Sequence, residues 1–100
     1  MITFVNIFTV NPGKQEDAFE RIQQIYTEVV QYQPGFLDAQ LLKSDDGSKV
    51  AAIAHWESAD QLAALRQHPR FQELHDEGFY EAIAKVEPHV YSSTFKIIRN

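Results

Sequence analysis

The chain has 100 residues, 44% of them hydrophobic, with seven phenylalanines, no cysteine and a formal net charge of −5. That length suits a single domain, residues 1–100, around one core. The absence of cysteine removes disulfides, thiolate nucleophiles, iron–sulfur clusters and cysteine zinc sites, and nine scattered basic residues make no cationic footprint for nucleic acid.

Residues 2–10, ITFVNIFTV, read as a first strand rich in β-formers and stopped by Pro12-Gly13. No basic segment precedes this apolar run, and it is too short to span a bilayer. A soluble cytoplasmic protein with no membrane partner is expected. From Lys14 to about Gln33 the apolar positions Phe19, Ile22, Ile25, Tyr26, Val29 and Val30 recur at helical spacing, and Glu16 and Asp17 sit near the amino end, where they favour the helix dipole.

Pro34-Gly35 ends that helix, and a second strand runs over about 36–43. Asp45-Asp46-Gly47-Ser48 is a hairpin signal. A third strand, KVAAIAHWE, returns antiparallel over 49–57.

Ser58 suits an N-cap, with Gln61 placed to complete a capping box. Pro69 fits the first turn of a new helix better than a helix interior. Two helical segments, 59–67 and 69 to about 84, are therefore predicted, with His68 at the joint. HVYSSTFKII, residues 89–98, reads as the last strand.

The order is βαββαβ with short connections throughout. It predicts an α+β, ferredoxin-like fold: a four-stranded antiparallel sheet with the helices on one face. Along the first strand Ile2, Phe4, Phe8 and Val10 point one way, and Val5 and Ile7 the other. Along the third, Val50, Ala52, Ala54 and Trp56 alternate with Ala51 and Ile53. A sheet apolar on both faces needs a cover on each, so a homodimer is expected, two sheets packing into a dimeric α+β barrel.

Asn6 is a polar amide between Phe4 and Phe8 on the face expected to be buried. Such a group either bonds to a neighbouring backbone group or lines a cavity, because burying it unpaired costs about 1–3 kcal/mol. His75 stands four residues after Phe71 and four before Phe79, which puts the three on one helical stripe. If the stripe faces the sheet, the imidazole serves as general base, metal or haem ligand, or phenol hydrogen-bond partner; if not, it is a partly exposed helix-edge residue.

The remaining histidines have local readings: His68 is exposed at a bend, His55 faces opposite to Trp56, and His89 opens the last strand. No HExxH pair or acidic cluster has metal-ligand spacing, so no metal site is expected. Trp56 is read as the roof of the core, and the four tyrosines as packing or interface residues. Phosphate loops, GxSxG and dinucleotide fingerprints are absent. Residues 55–67 accordingly read as structural, and 71–79 as one wall of a pocket facing Asn6.

NPGKQEDAF, QPGFLDAQLL, HWES and HPRFQELH, in that order, resemble the antibiotic biosynthesis monooxygenase family over nearly the whole chain. The resemblance implies the ferredoxin-like dimer. It also implies a cofactor-independent monooxygenase that oxidises a phenolic, quinol or polycyclic aromatic substrate with O2. In that reading His75 deprotonates or hydrogen-bonds a substrate hydroxyl, Asn6 orients the ring, and Phe4, Leu65, Phe71 and Phe79 line the substrate pocket.

The family also has a haem-degrading branch. Its first-strand asparagine matches Asn6, its iron-ligating histidine matches His75, and its tryptophan position falls on Leu65. Haem bound through His75 is thus the alternative cofactor to none, and a non-enzymatic dimeric ligand-binding or stress protein is the third reading.

Overall fold

In the computed structural model, which describes residues 1–100, strands β1 (Ile2–Val10) and β3 (Lys49–Trp56) form the middle of a four-stranded antiparallel sheet. The order is β2-β3-β1-β4, with β2 (Phe36–Lys43) and β4 (Ile83–Tyr91) at the edges. The α+β ferredoxin-like arrangement expected from the sequence is therefore present.

Period-two alternation decides what each face carries. The β1–β3 register sets Phe4 opposite Ala54, Asn6 opposite Ala52 and Phe8 opposite Val50. Phe8, Val10, Val50, Ala52, Ala54 and Trp56 are all buried. Helix α1 (Gln15–Glu28) packs on the same core through Ala18, Ile22 and Ile25, spaced to share one stripe. Alanines at 52 and 54 leave room for it.

The opposite face carries Val5 beside Ile53 and Ile7 beside Ala51, all half-buried in the single chain. The centre of each face is thus apolar, as the alternation in β1 and β3 indicated, and on the free face Asp38 and Gln40 of β2 and Glu87 and His89 of β4 flank the patch.

Three boundaries differ from the sequence reading. Helix α1 stops at Glu28, and the chain tightens into a 3-10 turn at Val30–Tyr32. Adjacent residues on a helix point about 100° apart, so leaving helical geometry at Val29 (φ −124°) lets Val29 and Val30 both be buried, each 1% exposed. The Val29 carbonyl accepts from the Tyr32 amide at 3.2 Å and from the Gln33 side chain at 3.0 Å.

The second helical region is three short helices, α2 (Ala59–Ala64), α3 (Pro69–Leu74) and α4 (Glu77–Ala82), with a 3-10 turn at Leu65–Gln67. Ser58 caps α2 as expected, accepting from the Gln61 amide at 3.2 Å. The Gln61 side chain returns to the Ser58 hydroxyl and not to its backbone. His68 caps α3 by accepting from the Arg70 amide at 3.2 Å. The unexpected break at His75 arises because Asp76 accepts from the Phe79 amide at 2.9 Å and starts a new helix.

Strand β4 begins at Ile83, not at His89, and ends at Tyr91. Pro88 is tolerated inside it because β4 is an edge strand with one unpaired side. Residues 92–98, expected as strand, add none to the sheet, and Phe95, Ile97 and Ile98 in them are exposed. No helix is long and apolar enough to cross a membrane.

Gly35, directly before β2, packs against α2. Its φ of +87° is left-handed, and a β-carbon there would collide with the Gln61 side chain. Only glycine meets both demands.

Candidate functional site

A cavity of about 570 Å3 lies between the helix-covered face of β1 and β4 and the helices, with most of its lining apolar. Antiparallel pairing builds its floor: Phe4, Asn6 and Phe8 on β1 stand beside Val90, Pro88 and Val86 on β4. Helix α1 contributes Ile22, Ile25 and Tyr26, and α3 and α4 contribute Phe71 and Phe79 on either side of His75.

Residues Phe4, Asn6, Leu65, Phe71, His75 and Phe79, singled out from sequence, all line this one cavity. Leu65 is 6% exposed and also belongs to the core.

The imidazole of His75 is held between two rings, with centroids 4.5 Å from Phe71 and 4.6 Å from Phe79. The helix break does not undo the stripe, because the three side chains still stack in sequence order. His75 Nδ1 lies 2.7 Å from the Phe71 carbonyl oxygen. A carbonyl can only accept, so Nδ1 carries the proton and Nε2 keeps its lone pair in the neutral ring. Nε2 is therefore the ring atom suited to take a proton or to ligate a haem iron.

Asn6 Oδ1 is buried without any hydrogen-bond partner. The alternative of a bond to neighbouring backbone does not hold for this atom. An unpaired buried acceptor is uncommon in folded proteins, and this one belongs to a cavity-lining residue, where a bound donor would satisfy it.

Tyr26 also lines the cavity, and burial pushes its phenol up to about 12. It is a neutral hydrogen-bond donor across the neutral range and no base. The sequence points to a packing or interface role for it. The one available signal was its position beside Ile22 and Ile25 on the inner stripe of α1.

Residues 55–67, read as structural, also border the cavity. Trp56 is 1% exposed and packs edge-to-face on Phe36 at 5.5 Å, yet it also reaches the cavity wall, as do Leu62, Leu65 and Arg66. The other histidines lie elsewhere. His55 is paired with Asp38 at 2.6 Å on the sheet's free face, His68 caps α3, and His89 stands near Tyr91.

Residues 1–77 match the antibiotic biosynthesis monooxygenase family. The tetracenomycin-F1 monooxygenase of Streptomyces glaucescens is 30% identical over 88 residues, covering 88% of this chain and 77% of that protein. Among solved structures, SnoaB of Streptomyces nogalater, a cofactor-independent oxygenase, is 25% identical with a TM-score of 0.73, covering 98% of this chain and 97% of that one. A Mycobacterium tuberculosis protein superposes with a TM-score of 0.79 at 16% identity, over 95% of this chain and 96% of that one, a likeness of fold alone.

Proposed function

The chain belongs to the antibiotic biosynthesis monooxygenase family, and from that premise we propose that it oxidises a phenolic, quinol or polycyclic aromatic substrate with O2 and needs no cofactor. The observation that carries the reading is the pairing of a tautomer-locked His75 with an orphaned Asn6 acceptor on one apolar cavity.

For a polycyclic phenol with a hydrogen on the carbon para to its hydroxyl, the steps balance without an outside reductant. His75 Nε2 takes the hydroxyl proton and leaves a delocalised anion. That anion passes one electron to O2, and the radical pair joins to make a carbon–oxygen bond at the para carbon. The peroxide anion recovers its proton from the His75 imidazolium. Breaking the O–O and para C–H bonds then releases water and leaves a quinone carbonyl. The substrate supplies all four electrons, one oxygen atom entering the product and the other leaving as water.

Asn6 Oδ1 has the right polarity to accept from a second substrate hydroxyl and so hold the ring against His75. Phe4, Leu65, Phe71 and Phe79 flank the ring and keep water from the reduced oxygen species. We take residues 1–100 as one domain, paired with a second copy through the apolar free face of the sheet.

The test is oxygen uptake and quinone formation from 1,8-dihydroxyanthrone, corrected for autoxidation, in wild type and His75→Ala. Catalysed uptake that depends on His75 is the expected result. Uptake equal in the two proteins removes the histidine from the chemistry.

A further inference from the structure

Val86, Pro88 and Val90 of β4 pair with Phe8, Asn6 and Phe4 of β1, so their side chains point to the helix-covered face. All three line the cavity and all three are exposed. The helices thus leave β4 uncovered, and the cavity opens along that edge. Strand β2 is the opposite edge of the sheet, three strand spacings or roughly 14 Å away.

A second, smaller hollow of about 210 Å3 lies at β2, lined by Phe36 and Ala39 together with Tyr26, Thr27 and Gln31. Phe36 pairs with Trp56 and Ala39 with Ala54, which puts the hollow on the same helix-covered face. Thr27, Gln31 and Ala39 are exposed, so it communicates with solvent.

Tyr26 lines both the hollow and the cavity, and no other residue does. Its ring meets Phe36 at 6.5 Å, and Phe36 meets Trp56 of the cavity wall at 5.5 Å. The Tyr26 phenol is perturbed by burial alone, with no hydrogen bond contributing, so its hydroxyl does not pin the ring. An untethered aromatic side chain therefore stands between the two spaces.

O2 reacts only once the substrate has bound and lost its proton, and a ring that entered along β4 blocks that edge behind it. Dioxygen is small and apolar, and passes an aromatic wall at little cost. Water pays for each hydrogen bond it leaves behind. We propose that the hollow at β2 is an entry for O2 and that the Tyr26 ring is its gate to the cavity, so that substrate and gas arrive from opposite edges of the sheet. The role of O2 as co-substrate rests on the monooxygenase reading; the passage is a statement about access.

Trp56 is the only tryptophan, is 1% exposed and lines the cavity, so its fluorescence reports O2 that has come inside. The experiment measures its lifetime against dissolved O2 in wild type, Ala39→Phe, Tyr26→Ala and Tyr26→Phe, each referred to its own oxygen-free lifetime. Ala39→Phe fills the hollow from an exposed position and should lose much of the quenching; Ala39→Leu repeats the block with less bulk. Tyr26→Ala should be quenched more strongly, and Tyr26→Phe, which keeps the ring, should match wild type. Acrylamide, larger and polar, should stay a poor quencher of wild type and of the Ala39 variants, which shows that they are folded. Undiminished O2 quenching in both Ala39 variants overturns the entry, and a gain in Tyr26→Phe equal to that in Tyr26→Ala overturns the gate.

Oxygen uptake with the dihydroxyanthrone separates the two ideas. Weaker quenching in the Ala39 variants with no oxidation by wild type keeps the passage and removes the monooxygenase reading. Oxidation by wild type, with quenching and KM for O2 unchanged in the Ala39 variants, does the reverse.

Discussion

His75 Nδ1 lies 2.7 Å from the carbonyl oxygen of Phe71, one turn before it. This contact assigns the proton of the neutral imidazole to Nδ1 and so leaves Nε2 as the basic atom. It also fixes the ring plane between Phe71 and Phe79. Replacing His75 by alanine is expected to lower turnover of a phenolic substrate about 10²- to 10⁴-fold, the usual contribution of a general base. Product binding, measured by quinone absorbance, should survive within a few-fold, because most of the cavity's lining is apolar.

Asn6 gives a prediction that separates function from structure. Its Oδ1 is buried without a partner, so the native fold gains no hydrogen bond from it. Asn6→Leu, close in size and apolar, should leave the protein as stable or raise its stability by about 1 kcal/mol, while turnover falls. Urea denaturation and oxygen uptake on the same sample read both. A loss of stability beyond about 1 kcal/mol would mean that the amide is a structural group.

Tyr26 predicts an alkaline limb. Burial raises its phenol from 10.0 to about 12 in the folded chain. Below pH 10 the phenol is neutral in both folded and unfolded states and its contribution is fully present; between pH 10 and 12 only the unfolded state ionises. Stability should therefore fall as pH rises through that window. Tyr26→Phe should show a shallower decline there, with little change near pH 7. Denaturant midpoints at pH 7, 10 and 11.5 test it, and parallel curves for the two proteins would contradict the burial argument.

The free face of the sheet predicts an assembly. Val5, Ile7, Ala51 and Ile53 meet there across two strands, with Leu42 41% exposed on the neighbouring strand. Ile53→Lys puts an unpaired charge in the centre of that patch. Sedimentation velocity should show a dimer for wild type and a monomer for the variant. A wild type that sediments as a monomer at micromolar concentration would remove the sheet-to-sheet dimer.

The legible parts of the fold were those with local causes. The alternation in β1 and β3 separates Phe4, Asn6 and Phe8 from Val5 and Ile7 whatever else the chain does, because successive strand side chains point to opposite faces. The turn residues Pro12-Gly13, Pro34-Gly35 and Asp46-Gly47 set the breaks between elements. Less legible were boundaries decided by competition. Helical periodicity continues past His75, but Asp76 caps a new helix more effectively than it serves in the interior of an old one. Strand β4 starts six residues earlier than its most β-prone stretch, because Ile83 pairs with Val10 of β1, a long-range partner that propensity does not register.

The candidate site divides in the same way. Asn6 stood out as a polar residue in an apolar strand, and His75 as a histidine between two phenylalanines at helical spacing; both signals are local, and the sequence by itself determined them together with the element order. The pocket between them was already expected; tertiary structure alone decided that Asn6 Oδ1 finds no partner there and that the Nδ1 proton goes to the Phe71 carbonyl. The physical reason is that spacing along a chain says which side chains share a face. Which donors and acceptors remain unsatisfied is set only when distant faces close on one another and exclude water.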